Sequence, residues 1–159
     1  MAMANNFGLK LQASSRKLSV CAFQLVVCSL WFVACGQSQN RDTKFQQYYV
    51  QGEQLYIKNC SNCHQKNGSG LGRVYPPLDT SDYMAQHFNE VICMIKYGKE
   101  GEIIVNGKKY NMPMKAIASL TELEIAEIAT YIYNTWSHQR GIVEIKEVAS
   151  ALQSCSPAP

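Results

Sequence analysis

The chain has no second C-x-x-C, no H-x-x-x-H, no apolar run long enough to be assigned as a membrane span, and no charge excess outside its first segment. Each absence closes off a class of function. A structural zinc site takes four ligands, usually from two cysteine or histidine pairs, and only one pair is present. The apolar stretch Leu25 to Ala34 is too short to be assigned as a transmembrane helix, and Gln24 adjoins it. The formal charge of +3 comes entirely from Lys10, Arg16 and Lys17; the remainder carries 12 basic and 12 acidic residues. Bulk charge therefore gives no reason to expect nucleic acid or an acidic membrane surface as a partner. No internal repeat, low-complexity block or second domain is visible in the 159 residues.

Against that background one pentapeptide stands out. Cys60, Ser61, Asn62, Cys63 and His64 spell C-x-x-C-H. Two thiols at this spacing can each add across one vinyl group of a porphyrin, and the adjacent histidine can then ligate the iron. The alternative is a redox dithiol of the thioredoxin kind. That would be expected beside a βαβ pattern, whereas these flanks read as a helix and a glycine-rich loop. The expectation is one covalent haem.

The first 34 residues read as an export signal, with a positive region followed by the short apolar core. Phe32-Val33-Ala34-Cys35 resembles a bacterial lipobox, which makes Cys35 a candidate for lipid attachment. An ordinary cleaved signal, or an uncleaved anchor spanning about residues 18 to 34, would also fit. The division is then 1–34 signal peptide of lipoprotein type, 35–44 polar tether and 45–155 folded domain, with a C-terminal extension from about 137. The 125 residues left after removal of the signal suit a single core. In an exported protein the remaining thiols Cys93 and Cys155 would pair as a disulfide or stay free.

Apolar spacing predicts a helix from Phe45 to Asn59, then a loop over 65–78 with three glycines and two prolines, then short helices over 79–88 and 89–97. Ile103 to Val105 ahead of Asn106-Gly107 predicts a small hairpin leading to Met112. Thr121 with Glu124 forms a capping box before a stripe of Leu123, Ile125, Ile128, Ala129, Ile132 and Trp136. Residues 143–152 form a weaker helical candidate.

The order of these motifs resembles the small bacterial class I c-type cytochromes over about Tyr48 to Trp136. The match rests on Gly52, Leu55 and Tyr56 before C-x-x-C-H, then Tyr75-Pro76-Pro77-Leu78, Val105-Asn106-Gly107 with Tyr110, Met112-Pro113, Ile125-Ala126 through Tyr131, and Asn134-Thr135-Trp136. The resemblance implies an all-α cytochrome c fold around one haem c, with a minor β-hairpin before the axial methionine. It implies His64 and Met112 as the iron ligands, with Met114 the rival, and the Pro76 carbonyl as acceptor of the His64 Nδ1 proton. Met84 and Met94 are read as packing residues, and His87 and His138 as exposed helix ends. Gly52 is the point where the first and last helices of the family cross. Tyr75, Tyr97, Tyr110 and Arg73 are candidate partners of the haem propionates, and Lys96, Lys99, Lys108, Lys109 and Lys115 a candidate docking patch.

His/Met ligation fills both axial positions, so the expected function is electron transfer without a small-molecule substrate and without an enzymatic activity of its own. The expected protein is a lipid-anchored carrier on the periplasmic side of a Gram-negative envelope, linking a dehydrogenase or quinol-oxidising complex to an oxidase or reductase. The alternatives are a permanent subunit of a larger oxidoreductase and, in another class, a haem sensor or weak peroxidase.

Overall fold

The computed structural model describes residues 36–155. The signal segment and Cys35 lie outside the described residues. The chain divides between Arg41 and Asp42 into two compact units, and the second holds C-x-x-C-H and everything after it.

Helix α1 runs Gly36–Asn59, so it starts well before the expected Phe45 and takes in the stretch read as a polar tether. No proline interrupts this segment, and its Gln, Arg and Lys residues tolerate helix as readily as coil. Tyr48, Gly52 and Tyr56 recur every four residues and form its buried stripe. The C-x-x-C-H sequence itself forms the single turn α2 (Ser61–His64) directly after α1, closed by the amides of Cys63 and His64 donating to the Cys60 carbonyl.

The helix expected over 79–88 is shorter, α3 (Asp82–Gln86), and that expected over 89–97 starts one residue earlier, as α4 (Phe88–Tyr97). Ser81 caps α3 by accepting from the Met84 amide at 3.2 Å. The hairpin is built from β1 (Ile103–Val105) and β2 (Lys108–Tyr110), antiparallel, with Ile103 opposite Tyr110. Its turn residues Asn106 and Gly107 have φ of 50° and 71°, the pair of positive values that a tight hairpin turn demands. Helix α5 (Glu122–Ile132) opens on both halves of the capping box, with Glu124 N donating to Thr121 Oγ1 and Thr121 N to Glu124 Oε2. Two members of its expected stripe fall outside it: Leu123 is exposed, and Trp136 lies beyond the helix end.

Helix α6 (Ile145–Gln153) packs on α4 and α5 through Val148 and Ala151. Beyond it, Cys155 is joined to Cys93 of α4 by a disulfide closing a separation of 62 residues. Such a loop restricts the unfolded chain by about 4 kcal/mol in the chain-entropy treatment. Cys155→Ser should therefore lower the unfolding free energy by about that amount, measured by denaturant titration of the oxidised proteins. A loss below about 1 kcal/mol would mean that packing of α6 alone holds the tail.

Candidate functional site

Gly70 shows how the 65–78 loop is bent around the centre of the molecule. It has φ +66°, and a Cβ there would lie 2.3 Å from the Tyr75 carbonyl and 2.6 Å from that of Pro76. Only a residue without a side chain lets the loop fold back this closely. The fold-back aims the Pro76 carbonyl at His64, whose Nδ1 lies 3.0 Å away. That contact assigns the proton to Nδ1 and leaves Nε2 with its lone pair free. Burial also lowers the His64 pKa, only partly offset by the hydrogen bond to Pro76. The imidazole is thus held neutral, which is the form that binds a metal.

His64 opens onto a cavity of about 450 Å³. Cys60, Cys63, Pro76 and Met112 line the same cavity, so the five expected site residues meet there. Cys60 and Cys63 are free thiols, and burial followed by the neighbouring Cys63 pushes the Cys60 thiol up to about 12. The rest of the lining is mostly apolar, supplied by Met84, Val91 and Ile95 of the α3–α4 pair, Ile128 and Ile132 of α5, and Val105 of the hairpin. Of these, Val105 belongs to the motif at the hairpin turn and Ile128 and Ile132 to the apolar stripe of α5, while Met84, Val91 and Ile95 carry no motif.

The remaining wall comes from two extended arms that meet at the hairpin. Lys99 bridges Met114 through reciprocal backbone hydrogen bonds of 2.9 Å, in the same register that sets Ile103 opposite Tyr110. Alternate residues of the first arm line the cavity, Lys99, Gly101, Ile103 and Val105, and on the second arm Tyr110 and the run Met112 to Lys115 do so. This register places Met112 opposite Gly101, which has no side chain, in a stretch without a bridge. Met112 is 52 % exposed at the cavity mouth, whereas Met114 is half-buried and packs on the core. Asp82 and Asn106 hold the hairpin turn to α3 by exchanging two backbone-to-side-chain hydrogen bonds of 3.0 and 2.7 Å.

Several expected roles are revised. His138 is a half-buried brace whose Nε2 lies 2.8 Å from the Leu78 carbonyl, tying the segment after α5 to the loop that carries Pro76. Ser137 adds to the same brace by donating to Asp79 Oδ1 at 2.6 Å. His87 sits at the start of α4, stacked on Tyr83 and 3.4 Å from Glu90. Met84 and Met94 both line the cavity, Met84 buried and Met94 half-buried. Of the lysine set, Lys96 is spent on the Ala118 and Leu120 carbonyls and Lys109 on Glu102. Lys99 and Lys115 line the cavity, and Lys108 is exposed. Tyr97 and Arg73 are exposed and do not reach the cavity wall, whereas Tyr75 and Tyr110 do.

Two thiols, a neutral half-buried imidazole and a thioether, all lining one mostly apolar cavity, are a donor set suited to a covalently held iron porphyrin. Comparison with known proteins agrees. The family model described as cytochrome c matches residues 49–136. Cytochrome c-552 of Thermus thermophilus is 32 % identical over 99 residues, which cover 60 % of this chain and 75 % of that protein. The cytochrome c subunit of a quinone alcohol dehydrogenase from Gluconacetobacter polyoxogenes is 25 % identical over 116 residues, covering 68 % of this chain and only 24 % of that subunit.

Proposed function

This chain belongs to the cytochrome c family, and from that membership we propose that it is a lipid-tethered, single-haem electron carrier of the bacterial envelope, with His64 and Met112 as its axial ligands. The family carries haem c covalently, so the cofactor is one haem c with its iron. The observation that carries the ligand assignment is the convergence of Cys60, Cys63, His64 and Met112 on one apolar cavity.

When bound, the haem supplies a one-electron ferric/ferrous couple. The residues set its terms. The Cys60 and Cys63 sulfurs hold it through thioether bonds, so the carrier keeps its cofactor through every turnover. Pro76 fixes the His64 ring and makes it a better donor. Met112 offers a soft neutral sulfur that favours the ferrous state and raises the potential. With His64 and Met112 both holding the iron, no position would remain open to oxygen or peroxide, which suits electron transfer. The apolar walls lower the local dielectric and limit water entry.

A lipid on Cys35 would hold the domain near its redox partners at high effective concentration. Those partners are proposed as a dehydrogenase or quinol-oxidising complex on one side and a terminal oxidase or reductase on the other. The alcohol dehydrogenase relative, itself named as a cytochrome c subunit, favours a second reading in which this chain is a permanent subunit of an oxidoreductase.

Spectroelectrochemistry of the matured protein, followed by acid-acetone extraction, tests the carrier. The expected result is a single one-electron transition, haem that stays on the polypeptide, and no binding of carbon monoxide by the reduced protein at neutral pH. Rapid carbon monoxide binding would turn the reading to a sensor or peroxidase. Extractable haem would overturn covalent attachment.

A further inference from the structure

Two non-glycine residues adopt the left-handed region on facing segments, Thr80 with φ 54° and Trp136 with φ 59°. For a β-branched threonine that conformation is an outlier, and it persists only where the surroundings over-determine it. Here they do. The Thr80 amide donates to Ser137 Oγ at 2.8 Å, and the Ser137 hydroxyl and amide donate to Asp79 Oδ1 at 2.6 and 3.2 Å. His138 Nε2 donates to the Leu78 carbonyl at 2.8 Å. The Trp136 ring lies so close over Gly68 that a Cβ there would meet it at 2.8 Å. The Gly68 carbonyl in turn accepts from the Leu78 and Asp79 amides, at 2.8 and 3.1 Å. Residues 136–138 thus form a latch on residues 78–80.

What the latch controls lies two residues upstream of Leu78. The Pro76 carbonyl accepts the His64 Nδ1 proton at 3.0 Å. Planar peptides and the locked φ of Pro77 leave ψ of Pro77 as the only soft torsion between that carbonyl and the Leu78 amide. Fixing Leu78 therefore fixes the carbonyl. We propose that Ser137 and His138 are positioning residues, which hold the Pro76 carbonyl against His64 Nδ1 and so set the donor strength of the imidazole and the potential of the iron. This rests on the haem reading of the cavity. A firmly held acceptor makes His64 the more basic ligand, and a more basic ligand favours ferric iron. Releasing the latch therefore raises the potential, whereas a general loosening that admits water to the cavity lowers it.

Ser137→Ala removes the exposed hydroxyl at the centre of the latch, and Ser137→Thr keeps it. Ser154→Ala is the control, removing a hydroxyl that bonds to the Ala151 carbonyl of α6. The expected result is that haem stays attached and the methionine-to-iron band persists in every holoprotein. At the parent's midpoint potential the reduced-to-oxidised ratio should rise about threefold in Ser137→Ala and in His138→Ala. In the same two variants the His64 Nδ1 proton of the reduced protein should exchange with solvent about tenfold faster by NMR. Ser137→Thr and Ser154→Ala should keep the parent's ratio and exchange rate. If the alanine variants mature poorly, the parent alone suffices: its His64 Nδ1 proton and Thr80 amide should be released by one common opening, with matching protection.

An unchanged ratio in Ser137→Ala or His138→Ala, a fall in place of the rise, a Ser137→Thr protein that behaves as Ser137→Ala does, or unequal protection of the two protons in the parent would overturn the proposal and leave the haem reading intact. A parent that attaches no haem would overturn both.

Discussion

Replacing Met112 by alanine should lower the midpoint potential on the order of 0.2 V, a fraction of the roughly 0.8 V range that axial ligation commands. The thioether is the only soft donor proposed for the iron, and its loss leaves a position that water or an external ligand fills. The charge-transfer band at the red end of the oxidised spectrum should vanish, and the reduced protein should then bind carbon monoxide. Folding stability should change little, because the side chain is half exposed and belongs to no packed cluster.

Met114→Ala should give the reverse pattern. Its side chain packs on the core while its backbone bridges Lys99, so truncation should cost about 2 kcal/mol of stability and leave the band in place. A band that survives in Met112→Ala and disappears in Met114→Ala would exchange the two roles. The cross-strand register argues against that exchange. It sets Met112 beside the open position at Gly101, where a Cβ would meet nothing within 4 Å.

Gly52→Leu should prevent the protein from accumulating in folded form. A Cβ at this position would lie 2.0 Å from the Glu127 carbonyl oxygen and 2.9 Å from the Tyr131 Cβ. The nearest obstructing atoms belong to the backbone of α5, so no rotamer change relieves the contact; α1 and α5 must separate. Separation also displaces Tyr56 and Ile128, which lie on those two helices and line the haem cavity.

Even Gly52→Ala should cost about 3 kcal/mol, the upper end for overpacking, and lower the melting temperature by on the order of 10 °C. The fraction that folds should keep the parent's spectrum and potential, since none of the haem contacts changes chemically. A Gly52→Leu protein of normal yield and melting temperature would disprove the close crossing.

Much of the site is legible in the chain because its chemistry is local. Cys60, Cys63 and His64 lie within one helical turn, so their spacing already fixes that they share a face. Asn106-Gly107 encodes a hairpin because few other residues adopt two consecutive positive φ values, and Thr121 with Glu124 encodes a helix start because each satisfies the other's backbone amide. The start of α1 is less legible, since a polar segment without proline suits a tether and a helix equally.

Other features need the third dimension. In sequence Cys93 and Cys155 are two thiols that could pair or remain free; only the packing of α6 on α4 brings them together. His138 reads as an exposed helix end, and becomes a brace because the segment after α5 folds back onto Leu78. Among Tyr75, Tyr97, Tyr110 and Arg73, composition offers no choice, and the fold places Tyr75 and Tyr110 on the cavity wall while Tyr97 and Arg73 stay exposed away from it.

The sequence by itself determined the cofactor and its covalent attachment, because five consecutive residues suffice to write them. The tertiary structure decided which distant groups line one cavity with that motif, and how the tail is clasped. These depend on register and helix crossing, which arise from the collective packing of residues far apart in the chain and leave no local signature.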